Sequence, residues 1–143
     1  KLLHDKGQAM ADLIEELTAF SQQLGDAGGD IGALATRFSA ALAALEEATG
    51  FYLQNVKDDP KLGSAVGVDY LMLAGNVVCA WLMARAAIAA QGRIDAGNSD
   101  HFYPHKIKTA LFFAEHILPR SEAQAVMVKA GSDSVMAIAA DNF

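Results

Sequence analysis

Residues 31–56, IGALATRFSAALAALEEATGFYLQNV, decide the fold of this chain. Mostly apolar side chains recur in this stretch at steps of three and four over about seven helical turns. They are Ile31, Leu34, Phe38, Leu42, Leu45, Thr49, Tyr52 and Val56. This spacing is typical of one face of an amphipathic helix. Because proline disfavours helix in the residue before it, the sequence Asp58-Asp59-Pro60 should stop the helix.

The segments on either side of this stretch repeat the same period. The first places Met10, Leu13, Leu17, Phe20 and Leu24 on one face. The last, beginning near Pro104, has an inward face of Ile107, Leu111, Ala114, Leu118, Ser121, Ala125 and Val128. Pro119 lies inside that last face and removes one backbone donor, so we predict a kink at Leu118.

The third segment, residues 65–91, is apolar nearly all round. We expect its inner face to be Leu71, Ala74, Val78, Trp81, Arg85 and Ile88. A second apolar face predicts an exposed patch that meets a partner near Met72, Val77, Met83 or Ala87. About 20 apolar residues would also span a bilayer. Since Asp69, Asn76 and Arg85 interrupt the run, we expect no membrane partner.

Strand-type alternation and hairpin dipeptides are absent from the sequence, and the connections between the helical segments are short. The prediction is an all-α, antiparallel up-down-up-down four-helix bundle with its fourth helix kinked at Pro119. A length of 143 residues fits one domain over residues 1–143. Because the chain lacks an initiator Met, we expect it to be a fragment of a longer protein.

The net charge and the cysteine content indicate which partners and which cellular compartment suit this chain. A net charge of −6, with scattered Lys and Arg, argues against a nucleic-acid or anionic-membrane partner. The single cysteine, Cys79, can form no internal disulfide, which suits a cytoplasmic protein. Its apolar neighbours predict a buried, unreactive thiol.

We predict no catalytic, cofactor-binding or metal-binding residue in this chain. The glycines at positions 25, 28, 29 and 32 follow no strand and lack dinucleotide spacing. The Glu-x-x-His pairs of di-iron bundles are absent. His101 and His105 are four residues apart, a spacing that can share a metal on a regular helix. Because His101 precedes Pro104, it should lie outside the helix. We therefore predict that both are surface or interface histidines.

Three residues are retained as candidates for an anion or interface contact: Arg85, Tyr103 and His105. Arg85 should extend along apolar surface or pair with a carboxylate such as Asp69 or Glu115. The alternative for Arg85 is that it binds a phosphate or carboxylate of a ligand. Tyr103 is expected to be a core aromatic whose hydroxyl reaches a partner or solvent.

Phe112-Phe113-Ala114 followed by Leu118-Pro119 is the most specific of several short motifs in this chain. Together these motifs resemble the extra C-terminal helical domain of one branch of the acyl-CoA dehydrogenases, which includes the 3-methylmercaptopropionyl-CoA dehydrogenases. The others are Phe102-Tyr103, Lys106, Ala110, Ala130-Gly131, Met136-Ala137, Tyr70-Leu71, Gly75, Trp81 and Ala84-Arg85. The opening Lys1-Leu2-Leu3, Asp5-Lys6-Gly7 and Ala9-Met10 resemble the junction after the dehydrogenase core.

The resemblance implies that the full protein is an FAD-dependent oxidoreductase that dehydrogenates an acyl-CoA thioester. The flavin, CoA and base positions of that family lie upstream, so the resemblance assigns no catalytic residue here. It implies a non-catalytic accessory domain that packs on its own upstream core or a neighbouring subunit of a homo-oligomer. The alternative hypothesis is a free-standing interaction or small-ligand bundle with an enclosed apolar pocket near Arg85 and Trp81.

Overall fold

The computed structural model describes residues 4–135 and 137–142. Part of the resemblance rests on Lys1, Leu2, Leu3 and Met136, which lie outside the described residues. The helices are α1 (Gln8–Asp26), α2 (Gly29–Asn55), α3 (Leu62–Asp95), α4 (Phe102–His116) and α5 (Arg120–Lys129), followed by a short 3-10 turn (Ala140–Asn142). The described part of the chain contains no strand, so the predicted all-helical class is confirmed.

Helix α2 presents to the core the face that the spacing in residues 31–56 predicts. Its predicted inner positions from Ile31 to Thr49 are all buried, and Tyr52 and Val56 are half-buried. α2 packs against each of α1, α3, α4 and α5. Phe38 is 1% exposed and meets the Phe20 ring edge-on at a centroid distance of 5.8 Å. The buried side chains of all five helices form one hydrophobic cluster.

Contacts at the helix ends connect the neighbouring segments. The residue before α1, Gly7, has φ +86°, and a Cβ there would lie 2.5 Å from Leu53 Cδ1 near the end of α2. Glycine is therefore required at this position by both backbone conformation and space. Tyr52 in turn reaches Gly63 in the first turn of α3. After α5, the Ser132 hydroxyl donates to the Asp59 carboxylate at 2.5 Å.

The face of α3 that packs against the core differs from the predicted one. Its buried residues are Leu62, Val66, Tyr70, Leu73, Val77, Ala80, Ala84, Ala87 and Ala90. Of the predicted inner residues, Leu71 and Arg85 are exposed and Trp81 is half-buried. The expected inner face of α3 was therefore wrong. A helix that is apolar nearly all round has no polar side to mark which face is turned outward.

The predicted fourth helix is divided into α4 and α5 instead of being one kinked helix. α4 ends at His116, and Pro119 immediately precedes α5. In the connection, the Leu118 amide donates to the Phe113 carbonyl at 2.9 Å. Proline has no amide hydrogen and clashes inside a helix, but a helix start needs no donor there. Leu118 and Ser121 remain buried, so the predicted inward face continues across the break.

Candidate docking surface

Helix α3 carries a second apolar stripe on the side opposite the core. We call this set of residues the outer stripe: Val68, Leu71, Met72, Gly75, Cys79, Leu82, Ala86 and Ala89. All are exposed except Ala86, which is half-buried. Val68 is 74% exposed, Leu71 69%, and Met72 and Leu82 51% each. Large exposed apolar side chains that lie together along one helix are typical of interaction surfaces.

The predicted position of this surface was partly wrong. Met72 is exposed as expected, but Val77 and Ala87 are fully buried in the core and Met83 is half-buried. Val68, Leu71 and Leu82 were not among the positions predicted for this surface. The sequence does indicate this surface, because Val68, Gly75, Leu82 and Ala89 are spaced seven residues apart. That spacing keeps the four positions along one side of the helix.

Cys79 lies in the middle of the outer stripe. Its thiol is exposed, which contradicts the prediction of a buried cysteine. Apolar sequence neighbours favoured burial, but on this helix apolar residues occupy the outer face as well. The thiol is therefore open to reagents from solution.

Arg85 lies beside the outer stripe and packs on an aromatic ring. Its guanidinium carbon is 5.0 Å from the centre of the Trp81 ring, a cation–π contact. Among the described residues, no ion pair joins Arg85 to the expected partners Asp69 or Glu115. The arginine stem thus lies along apolar surface, one of the two structural placements predicted, and its charge faces solvent.

Tyr103 and His105 lie in the first turns of α4. Tyr103 is half-buried and meets the Phe102 ring edge-on, while His105 is exposed and stacks on His101 at 6.5 Å between ring centres. No aromatic contact or hydrogen bond between described residues joins Arg85 to either of them. Within residues 4–135 and 137–142, no three His, Cys, Asp or Glu side chains are grouped to share a metal ion.

An open groove of about 600 Å³ runs between α1 and α2. Its floor is formed by small and apolar residues such as Ala11, Ile14 and Leu53. Glu15 and Glu46 line it, and no basic residue does. Neither Arg85 nor Trp81 lines this groove, so it is not the pocket that the free-standing bundle predicts. The two carboxylates would repel an anionic ligand such as a phosphate.

One buried polar pair joins α2 to α3. The Thr49 hydroxyl donates to the Leu45 carbonyl at 2.7 Å, which leaves its oxygen to accept from the Tyr70 hydroxyl at 2.8 Å. Burial raises the pKa of Tyr70 above its usual value near 10. Folding therefore favours the protonated phenol, which holds α2 and α3 together.

The pKa shift of Tyr70 predicts a loss of stability in alkali. The pKa of Tyr70 is raised in the folded state. The contribution of the protonated phenol to the free energy of unfolding is therefore complete below pH about 10 and is lost as the pH rises through the folded pKa. Urea unfolding between pH 8 and 11 should show this decline in the wild type and a smaller one in Tyr70→Phe. An identical decline in both proteins would contradict the assignment to Tyr70.

α3 is also long and apolar enough to cross a membrane, by length and composition alone. Only 28% of the residues in its most apolar 18-residue window are buried. Asp69, Asn76 and Arg85 divide the helix, and the Asn76 amide donates to Gln124 of α5 at 3.0 Å. The side of α3 that carries Leu73 and Val77 is buried against the other helices, and the outer stripe is the apolar face that they leave uncovered.

Comparisons with known proteins place this fold in a family. Residues 8–139 match the family model described as acetyl-CoA dehydrogenase C-terminal like. The chain is 29% identical to the 3-methylmercaptopropionyl-CoA dehydrogenase of Ruegeria pomeroyi, over 95% of this chain and 23% of that protein. It is 31% identical to the broad-specificity linear acyl-CoA dehydrogenase FadE5 of Mycobacterium tuberculosis, over 83% of this chain and 21% of that protein.

The chain thus spans less than a quarter of the length of these two relatives. The matched region includes all five α-helices and the outer stripe. The resemblance drawn from Phe112-Phe113-Ala114 and Leu118-Pro119 is confirmed. This chain belongs to the family of acetyl-CoA dehydrogenase C-terminal-like domains.

Proposed function

We propose that residues 1–143 form a single accessory domain at the C-terminal side of an FAD-dependent acyl-CoA dehydrogenase. The observation that carries the proposal is the family match over residues 8–139. Two relatives named as acyl-CoA dehydrogenases support it, since each is more than four times as long as the aligned segment. The chemistry of the full protein, removal of an α-proton and transfer of a β-hydride to the flavin, is then located upstream of this domain.

The accessory domain itself is non-catalytic and binds no FAD. The groove between α1 and α2 supports this proposal, because Glu15 and Glu46 line it and no Lys or Arg is present to bind a diphosphate. The glycines near the start of α2 follow a helix and not a strand, so they offer no dinucleotide turn. No residue of this chain is therefore assigned to the reaction or to the cofactor.

The helices run up-down-up-down, with α4 and α5 together as the fourth arm. Several contacts support this arrangement. Gly7 lies beside Leu53, so the start of α1 meets the end of α2. Thr49 bonds Tyr70, and Asn76 bonds Gln124. Lys129 at the end of α5 bonds Glu47 at 2.6 Å, which aligns α5 with the later part of α2.

The role proposed for the domain is assembly in a cytoplasmic homo-oligomer. The outer stripe is exposed and apolar, which suits docking on the upstream core or on a neighbouring subunit. Arg85 borders the stripe and stays a candidate interface contact. Tyr103 and His105, at the start of α4, stay candidates for a separate anion or interface contact.

The gene sequence upstream of Lys1 tests the proposal. An in-frame flavoprotein of several hundred residues is expected. As a biochemical test, the 143-residue chain should show no flavin absorbance after incubation with FAD and desalting, and no acyl-CoA-dependent dye reduction. A stop codon immediately upstream, or retained FAD, would contradict the proposal. The first outcome would favour the free-standing interaction bundle.

A further inference from the structure

We propose that the outer stripe pairs with the same stripe of a second copy of this domain. The two α3 helices would run antiparallel, with the two-fold axis beside Gly75 and Cys79. The inference rests on the proposed assembly function and names its partner. It also assigns a position to each copy of Cys79, which makes it directly testable.

The spacing of the outer stripe is that of a coiled-coil seam. Val68, Met72, Gly75, Cys79, Leu82, Ala86 and Ala89 follow one another at steps of four, three, four, three, four and three. This alternation keeps side chains on one side of a helix that pairs with another helix. The buried face has the same alternation, from Val66 through Tyr70, Leu73 and Val77. α3 thus carries two pairing faces, and this domain's own helices occupy only one.

The side-chain sizes along the stripe favour an antiparallel register centred on the level of Val77. In that register Gly75 of one copy faces Cys79 of the other, so the helices approach closely at the axis. Met72 then faces Leu82, and the two large side chains fill the space on either side of the centre. Val68 faces Ala86 at each end. The stripe is therefore complementary to itself, as a two-fold interface requires.

The charges beside the stripe favour the same direction. Asp69 and Arg85 lie eight residues before and after Val77, and the seam between them holds no charged side chain. An antiparallel pair places Asp69 at the level of Arg85 of the second copy and separates the two copies of Asp69 by about 24 Å along the axis. A parallel pair would bring like charges to the same level. The helix dipoles also favour the antiparallel pair.

The available area predicts a weak dimer for the isolated domain. The four large side chains, Val68, Leu71, Met72 and Leu82, present roughly 400 Å² of apolar surface, at about 100 Å² each. A standard interface buries about 800 Å² on each partner, so the stripe provides about half of this. We therefore expect dissociation constants in the micromolar range, about 1–100 µM. A tethered dehydrogenase core would raise the effective concentration of the two domains.

Sedimentation of the 143-residue chain tests the pairing. The wild type should change from monomer to dimer with rising concentration, and Leu82→Glu should raise the dissociation constant by about 100-fold or more. Val126→Glu is the matched control, because Val126 is 66% exposed but lies on α5 outside the stripe. It should dimerise like the wild type. A Leu82→Glu chain that dimerises as well as wild type would overturn the inference.

Cross-linking through cysteine tests the direction. A short bismaleimide should join two wild-type chains through Cys79, and Cys79→Ala should abolish the product. In the Cys79→Ala background, a mixture of Val68→Cys and Ala86→Cys chains should cross-link. Val68→Cys alone should not, since its two copies are about 27 Å apart along an antiparallel pair. Efficient cross-linking of Val68→Cys to itself would indicate a parallel pair and overturn the register.

Failure of the pairing can be told apart from failure of the accessory-domain proposal. A wild-type chain that stays monomeric to millimolar concentration would overturn the self-pairing. If the complete protein then shields Cys79 from maleimide, the upstream core is the occupant of the stripe, and the accessory-domain proposal stands. An upstream sequence with no dehydrogenase would instead overturn the parent assignment, whatever the result of the cross-linking.

Discussion

Replacing Phe38 by alanine is expected to lower the free energy of unfolding by about 3–5 kcal/mol. The side chain is 1% exposed and lies where α2 meets α3 and α4. It lines a small space with Leu34, Ala80 and Phe113, and its ring also packs on Phe20 of α1. Truncation would therefore leave a cavity shared by four helices, which the surrounding side chains cannot fill without moving the helices.

Phe112→Ala is the matched control for this prediction. Phe112 is the same residue type on α4 but is 57% exposed, so its truncation should change stability by no more than about 0.5 kcal/mol. Urea denaturation followed by circular dichroism compares the two variants and the wild type. Equal losses in Phe38→Ala and Phe112→Ala would show that the core is not arranged around α2 as described.

Leu73→Glu is expected to leave the chain largely unfolded at 25 °C, whereas Leu71→Glu should fold. The two leucines are two residues apart on α3, but Leu73 is 0% exposed and Leu71 is 69% exposed. At position 73 the substitution removes a core side chain and buries an unpaired carboxylate. Together these changes should lower the free energy of unfolding by about 5 kcal/mol or more. A domain of this size is commonly stable by only about 5–15 kcal/mol.

The comparison of the two leucine variants tests which face of α3 is turned inward. It is made by thermal denaturation at a concentration low enough for the chain to be monomeric, so that loss of pairing does not contribute. Both changes introduce the same residue into the same helix, so helix propensity and net charge are matched. The opposite order, with Leu73→Glu folded and Leu71→Glu unfolded, would support the inner face expected from the sequence.

The helices with a clear polar side could be predicted from the sequence, and the one without could not. In α2 the charged residues Glu46 and Glu47 mark the outer side, and the predicted inner positions from Ile31 to Thr49 are buried. In α3 the apolar residues on opposite sides are nearly equivalent, and burial depends on which of them the other helices contact. The sequence predicts two apolar faces for α3, but only the packing decides between them.

Pro119 shows a second limit to what can be predicted from the sequence. Its lack of an amide hydrogen predicts a disturbance of the fourth helix, but not its extent. The chain responds by ending α4 at His116 and beginning α5 at Arg120. Either a kink or a break keeps Leu118 and Ser121 on the inner side, so the spacing of apolar residues is the same for both.

Helix α1 contributes fewer buried side chains to the core than α2, which has a consequence for the order in which the domain opens. It packs chiefly on α2, and its fully buried side chains are Leu17 and Leu24. Regions with few buried contacts open locally at a lower free energy than the whole domain. Amide hydrogens of α1 should therefore exchange with deuterium well before those of α2. Helix α1 would then separate from the core while the other four helices remain folded.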